Sequence, residues 1–219
     1  VYKKKKENII FLSKNVQSLR YEEISPTKIW ETKKVSPFIL FFGFLRIDKG
    51  LPYLIKAFAL VQKDLPNLKL IIAGGISKGT GSKNYYLYTR KLVIKLNLEK
   101  KVIFTDYISW EEIMELFKLA QIVVYPYLRI DNSSAIFPAL YSKKAIVCSD
   151  ITGLRQIFTN GKDCLFAKPK NASDIARKII KILTNDDLRN SIEKGAEKIF
   201  LNNSIEKLCD KYKDVFSEY

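Results

Sequence analysis

Histidine is absent from this chain of 219 residues. That absence removes Ser-His-Asp triads, imidazole general bases and His-ligated zinc or haem from anything the chain does by itself. Cysteine is scarce. Cys148, Cys164 and Cys209 are odd in number, far apart and never arranged as CxxC, which argues against a metal cluster or disulfide framework and for a reducing compartment. Long apolar runs are missing as well. The longest, Phe38 to Leu45, is far shorter than the about 20 residues a membrane-spanning helix needs. The VYKKKK start is basic but leads into no proper apolar stretch, so no secretory signal is expected. With no initiator Met, the chain is expected to be a piece of a longer protein.

Acidic residues are the minority charge. Asp and Glu number 23 against 38 Lys and Arg, a net charge of +15. Such an excess favours an anionic partner: a phosphorylated ligand, an acidic membrane surface or nucleic acid. The remaining composition, 47% hydrophobic and 28% charged, is that of a globular chain able to bury a sizeable core.

Residues 1–36 differ from the rest of the chain. Lys3–Lys6, a short apolar NIIFL, Pro26 and more lysines read as a strand and a linker. From Phe38 the text becomes regular. FILFFG, LKLIIAGG, VIFTDY, IVVYPY (Ile122–Tyr127), AIVCSD (Ala145–Asp150) and Cys164–Ala167 are short apolar runs, as strands covered on both faces should be. Between them Gly50–Leu65, Tyr85–Leu96, the stretch after Ser109 and Ser134–Tyr141 have helical spacing. Ser109 with Glu112 forms a capping-box pattern. A segment Gly153–Phe158 and helices near Ala172–Leu183, Asp187–Phe200 and Ser204–Ser217 complete the chain. This alternation predicts an α/β fold: a Rossmann-like, doubly wound parallel sheet with extra C-terminal helices. The expected organisation is a linker over 1–36 and one domain over 37–219.

Ligands of such sheets bind at the carboxyl ends of the strands. The loop there after the first strand reads GFLRIDKG, and its Arg46 and Lys49 precede a helix start, an arrangement suited to a dianion. The plain alternative is a solvated basic loop. Gly74 and Gly75 end a buried strand, where backbone passes close to a ligand or a helix. Farther on, Asn132, Ser133 and Ser134 stand at a helix start, where hydroxyls and free N–H groups could hold phosphate or sugar oxygens or simply cap the helix.

Read in order, GFLRIDKGLPYLIKAF, LKLIIAGG, VIFTDYISWEEIMELFKLAQIVVYPY and SSAIFPALYSKKAIVCSDITGLRQIF resemble the C-terminal, donor-binding domain of a family-4 (group 1) GT-B glycosyltransferase. The resemblance implies retaining transfer of a sugar, of hexosyl type, from a nucleotide-diphosphate sugar to an acceptor hydroxyl. It implies that Arg46 and Lys49 are the catalytic cations on the donor diphosphate, within a segment that also contains Gly43 and Gly50. It further implies donor-binding roles for Gly74, Tyr107, Ile108, Asp131, Asn132, Ser133, Ser134 and Ala135. Residues 1–36 resemble the end of a missing N-terminal GT-B domain and its linker. No metal or other cofactor is implied, since the nucleotide-diphosphate sugar is a substrate. The implied partners are that donor and an acceptor glycan or lipid-linked acceptor. The charge itself suggests an anionic membrane surface, with Lys3–Lys6 beside the linker and Lys83, Arg90, Lys91, Lys95, Lys100 and Lys101 around one helix, although a solvated face explains each lysine singly. The cysteine usage and the surplus charge together give the expected location, the cytoplasm, peripheral on the inner membrane face.

The chain departs from the family pattern at two places, and at one of them the usual Gly-x-Pro before a strand reads Lys143-Lys144-Ala145. Where a Glu-(seven residues)-Glu pair is expected, it has Ile130 and Pro138. The alternative reading is therefore a degenerate, non-catalytic binding module; the missing pair favours it, and the intact GFLRIDKG favours the enzyme. Nucleic acid ranks last as a partner, because the charge comes with no recognisable nucleic-acid-binding motif.

Overall fold

A computed structural model describes residues 37–76, 82–130 and 134–203. The expected linker over 1–36, most of the glycine-rich loop after Gly75, Asp131 to Ser133, Cys209 and the expected helix Ser204–Ser217 lie outside the described residues.

The six apolar runs form six strands: β1 (Phe38–Phe42), β2 (Lys69–Ala73), β3 (Val102–Asp106), β4 (Ile122–Tyr125), β5 (Ile146–Ser149) and β6 (Leu165–Ala167). Every pairing is parallel, in the order β3-β2-β1-β4-β5-β6. Leu40 of β1 stands opposite Ile71 on one side and Val123 on the other. Ile39, Leu40, Phe41, Leu70, Ile71, Ile72, Ile122 and Val123 are fully buried. That is why these strands read as unbroken apolar text rather than as alternation.

The connections are helical. Helix α1 (Leu51–Asp64) starts at Gly50, with Pro52 in its first turn where no N–H is missed, and buries Leu54, Ile55, Phe58 and Val61. Helix α2 (Ser82–Lys95) begins three residues before the expected Tyr85. Helix α3 (Trp110–Leu119) carries the expected capping box. The Ser109 hydroxyl accepts from Glu112 N at 3.2 Å, and the Glu112 carboxylate accepts from Ser109 N at 2.6 Å. The single helix expected over Ser134–Tyr141 is instead a 3-10 turn, Ser134–Ile136, running into the short α4 (Phe137–Tyr141). The segment Gly153–Phe158 contributes to a one-turn helix α5 (Thr152–Arg155). Helices α6 (Ala172–Leu183) and α7 (Asp186–Asn202) come last.

Helix α1 packs against α2 and α6, whereas α4 packs against α3 and α7. With right-handed crossovers this gives two helical layers around the sheet. The chain leaves β1 outward to β2 and β3, then crosses back to β4 on β1's other side. The carboxyl ends of β1 and β4 are therefore the point where the strand order reverses, the place such sheets use for ligands.

Candidate functional site

At that point lies a cavity of about 350 Å³, lined by the chain leaving β1, β2, β3 and β4. Its first wall continues β1. Gly43 N donates to Ala73 O at 3.0 Å and Leu45 N to Gly75 O at 3.1 Å, so the β1 and β2 strand ends stay paired past the sheet itself. The chain then folds into a 3-10 turn over Ile47–Lys49 and enters α1 through Gly50, whose backbone is left-handed at φ +65°. A second tie runs across the reversal point, where Leu128 N donates to Asp48 O at 2.8 Å.

This turn presents Arg46 and Lys49 to the cavity. Asp48 sits between them. Its Oδ1 lies 2.9 Å from Arg46 Nε and its Oδ2 3.7 Å from Lys49 Nζ. Lys49 also stands 4.0 Å from the ring centre of Tyr127, a cation–π contact. The two cations differ in setting: the Arg46 side chain is 51% exposed and that of Lys49 only 13%. Arg46 therefore stands at the solvent side of its contact with Asp48, while Lys49 is held under the Tyr127 face. Because Asp48 turns toward both cations, its charge orders them at the cost of partly neutralising them. No carboxylate is among the described residues that line the cavity.

The opposite wall comes from β3 and α3. Asp106 takes a left-handed conformation (φ +55°), tolerated in Asp better than in most residues. It turns the chain so that Tyr107 lies over Gly75, with its hydroxyl donating to Ile76 O at 2.6 Å. Tyr107 meets Phe44 edge to face at 6.4 Å, which forms an exposed aromatic rim. Ile108 and Ile113 line the wall beneath. The floor is aromatic. Tyr127 is fully buried and donates to Phe42 O at 3.4 Å. Tyr125 stacks edge-on to it at 5.3 Å and donates to Ala135 O at 2.6 Å, which fixes the 3-10 turn that brings Ser134 and Ala135 to the cavity. Burial, with Tyr127 and Cys148 nearby, pushes the Tyr125 hydroxyl well above its ordinary pKa, so it keeps the proton it donates to Ala135 O.

Eight of the residues expected from the sequence line this one cavity: Gly43, Arg46, Lys49, Gly74, Tyr107, Ile108, Ser134 and Ala135. Gly50 stands behind it as the hinge of the cationic turn. Asp131, Asn132 and Ser133 lie outside the described residues. Reasoning from sequence missed Phe42, Phe44, Ile113 and Tyr127. Tyr127 carries one signal, an aromatic just past a buried strand's carboxyl end, but the apolar spacing of Ile122–Tyr127 reads as strand throughout, whereas β4 ends at Tyr125. Among the described residues no three His, Cys, Asp or Glu side chains gather to hold a metal ion. None of the described helices is long and apolar enough to cross a membrane.

Comparison with known proteins agrees with this architecture. The family profile described as "Glycosyl transferases group 1" matches residues 25–199. An uncharacterised glycosyltransferase of Methanocaldococcus jannaschii is 29% identical over 160 residues, covering 73% of this chain and 39% of that protein. The chain spans about half the length, or less, of the curated relatives it matches. Among solved structures, the C-terminal domain of the group 1 glycosyl transferase LpcC from Francisella tularensis superposes with a TM-score of 0.70 at 21% identity, covering 82% of this chain and 94% of that one. HepE of Anabaena, in a structure with UDP and glucose, superposes with a TM-score of 0.74 at 18% identity, covering 89% of this chain and 54% of that one. At these identities the structural matches speak to the fold.

Proposed function

Because the chain belongs to the group 1 glycosyltransferases, we propose that it is the donor-binding half of a retaining enzyme that moves a hexosyl group from a nucleotide-diphosphate sugar to an acceptor hydroxyl. The observation that carries this reading is the pair Arg46 and Lys49, ordered by Asp48 beside a cavity whose described lining has no carboxylate. Two cations on one turn suit a diphosphate, on which negative charge grows as the sugar leaves. Charge already in position stabilises that transition state without reorganisation. Phe44 and Tyr107 at the rim suit the flat face of a nucleobase. Gly43, Gly74 and Ile108 shape the donor cleft, and Gly50 sets the cationic turn. Ser134 and Ala135, with the neighbouring Asp131, Asn132 and Ser133, would meet the sugar or distal phosphate. In this reading the leaving phosphate itself assists the incoming hydroxyl, in keeping with retention. The acceptor, a glycan or a lipid-linked sugar, would be held mainly by an N-terminal domain preceding this one. Nucleotide sugars as donors, and Cys148 and Cys164 as free buried thiols, suit a cytoplasmic setting.

The replacement of the expected carboxylates by Ile130 and Pro138 supports one second reading, a module that binds a nucleotide without turning it over. Calorimetric titration with UDP and GDP tests the shared core of both. The wild-type chain is expected to bind one of them. Arg46→Met with Lys49→Met keeps the aliphatic stems and removes two charge-assisted contacts of about 1.5–3 kcal/mol each, so affinity should fall at least about 100-fold. Equal affinity in the two proteins would remove the diphosphate clamp. Slow donor hydrolysis by the wild type would favour the enzyme over the passive module.

A further inference from the structure

Helix α2 has an outer face that the cavity does not use. Its inner face is ordinary: Thr89, Leu92 and Val93 are buried, and Tyr86 packs edge-on to Phe104 at 5.8 Å. Its outer face is not. Leu87, Tyr88 and Ile94 are 45%, 51% and 58% exposed. Helical spacing puts Leu87 and Ile94 on one face two turns apart, with Lys83 one turn before Leu87, Lys91 between the two and Lys95 one turn beyond Lys91. Arg90 borders the same strip, its guanidinium anchored over the Phe104 ring at 4.9 Å. The helix, SKNYYLYTRKLVIK, contains no Asp or Glu. Among the described residues no carboxylate pairs with Lys83, Lys91 or Lys95. Beyond the helix, Glu99 is the nearest acid in sequence, followed at once by Lys100 and Lys101.

Leu87 and Ile94 add to this cationic strip an apolar element that lysines serving only to solvate a surface do not need. A face for nucleic acid would gain nothing from Leu87 and Ile94, because phosphate contacts need only the cations. An anionic bilayer offers both partners at the right depths: headgroup charge for the lysines, and acyl chains just beneath for the aliphatics. Lysine stems can lie along the apolar surface while their ammonium groups stay among the phosphates. We propose that the outer face of α2 docks this domain onto an anionic lipid surface, with Leu87 and Ile94 entering the headgroup–acyl boundary and Lys83, Lys91 and Lys95 engaging lipid phosphates. Helix α2 comes after the carboxyl end of β2, so Lys83 and Leu87 lie toward the end of the sheet where the cavity opens. Docking on this face lays the helix along the lipid surface, with its Lys83–Leu87 end on the side of the domain where the cavity opens. The inference rests on α2 alone and stands or falls independently of what the cavity binds.

Vesicle co-sedimentation tests it. Vesicles of phosphatidylcholine are compared with vesicles containing about one-third phosphatidylglycerol, at about 0.1 M and about 1 M salt, where the screening length falls from about 10 Å to about 3 Å. The chain should pellet with the anionic vesicles at low salt and not with the neutral ones. K83Q/K91Q/K95Q should lose about 100-fold in affinity, at about 5-fold per cation near an anionic surface. L87S/I94S should lose several-fold and should abolish whatever binding survives high salt. All five substitutions are at exposed positions, and circular dichroism and melting should show both variants folded like wild type. Failure of the wild type to bind anionic vesicles overturns the proposal. So does wild-type binding by K83Q/K91Q/K95Q, which would put the attachment elsewhere, for instance at Lys3–Lys6. Unchanged binding by L87S/I94S, together with equal binding to duplex DNA, would show a polyanion-binding strip instead of a membrane surface.

Discussion

Replacing Gly50 with alanine tests whether the cationic turn is built around that residue. Gly50 and Gly161 both have left-handed backbones, at φ +65° and +77°. They differ in what a side chain would meet. A Cβ on Gly161 would point into open space, whereas one on Gly50 would run into the Pro126 carbonyl oxygen, with the carbonyl carbon 3.0 Å and Leu128 Cδ2 3.4 Å away. Gly161→Ala therefore incurs only the left-handed penalty of about 1–2 kcal/mol. In a domain of this size that lowers the melting temperature by about 2–8 °C, at about 2–4 °C per kcal/mol. Gly50→Ala adds overpacking of about 1–3 kcal/mol. The obstructing atom is backbone directly after β4 and cannot rotate away as a side chain could. The strain must be relieved by moving the turn, which breaks the register in which Leu128 N reaches Asp48 O at 2.8 Å and Lys49 stands over Tyr127. The expected result by differential scanning fluorimetry is a drop of about 4–20 °C for Gly50→Ala, which exceeds that of Gly161→Ala by about 2–12 °C. Nucleotide-diphosphate affinity should fall at least about 10-fold in the first variant and stay at wild type in the second, as one lost charge-assisted contact would produce. Equal melting temperatures, or wild-type affinity in Gly50→Ala, would refute the claim that close approach to Pro126 sets the position of the cations.

Two more outcomes are expected from buried polar contacts. Tyr125→Phe removes the donor to Ala135 O and leaves that buried carbonyl unsatisfied; a loss of about 1–3 kcal/mol should appear in urea unfolding, together with weaker nucleotide binding as the Ser134–Ala135 wall loosens. Asp174 is pushed up by burial, but the Lys168 N–H and the Arg177 guanidinium it accepts from, with Lys178 nearby, hold its carboxyl below the usual range. Its contribution to stability is therefore present above the unfolded carboxylate pKa and is lost as pH falls through the folded one. Asp174→Asn should cost stability at pH 7, and unfolding curves of variant and wild type should converge in acid.

The sheet was legible in the sequence because both of its faces are covered. Burial on two sides leaves continuous apolar text, and FILFF, KLIIA and IVVY stand out against their polar flanks with boundaries that shift by only a residue or two. The start of α3 was legible because a capping box is local: Ser109 and Glu112 are neighbours in the chain and need no tertiary partner. The break between Ser134–Ile136 and α4 was not legible, since the apolar spacing alone is helical and it is Tyr125, on the preceding strand, that holds Ala135 O. Lys49 and Tyr127 illustrate the same limit. Each belongs to a different crossover, and only the β1–β4 pairing brings them within 4.0 Å. A buried aromatic that closes a core and one that forms a cavity floor beneath a cation look alike in a sequence.

Ile130 and Pro138 raise a further issue, because there the sequence signalled a departure without its meaning. In the structure Pro138 is buried in the first turn of α4, where a missing N–H costs nothing. Ile130 packs against Gly153, whose added Cβ would collide with the Ile130 side chain and sit 2.8 Å from its carbonyl oxygen. Both positions serve the packing between the β4 loop and its neighbours. A carboxylate at buried Pro138 would be costly without a partner. In the proposed role this shifts the source of affinity. A carboxylate receiving a ribose hydroxyl would contribute about 1.5–3 kcal/mol, and no described lining residue can do so. The cavity offers instead two ordered cations, an aromatic rim and a buried aromatic floor. Among the described residues, binding there would draw on the diphosphate and the base, and in the proposed role the turn ordered by Asp48 is where the positive charge for the leaving diphosphate would be concentrated.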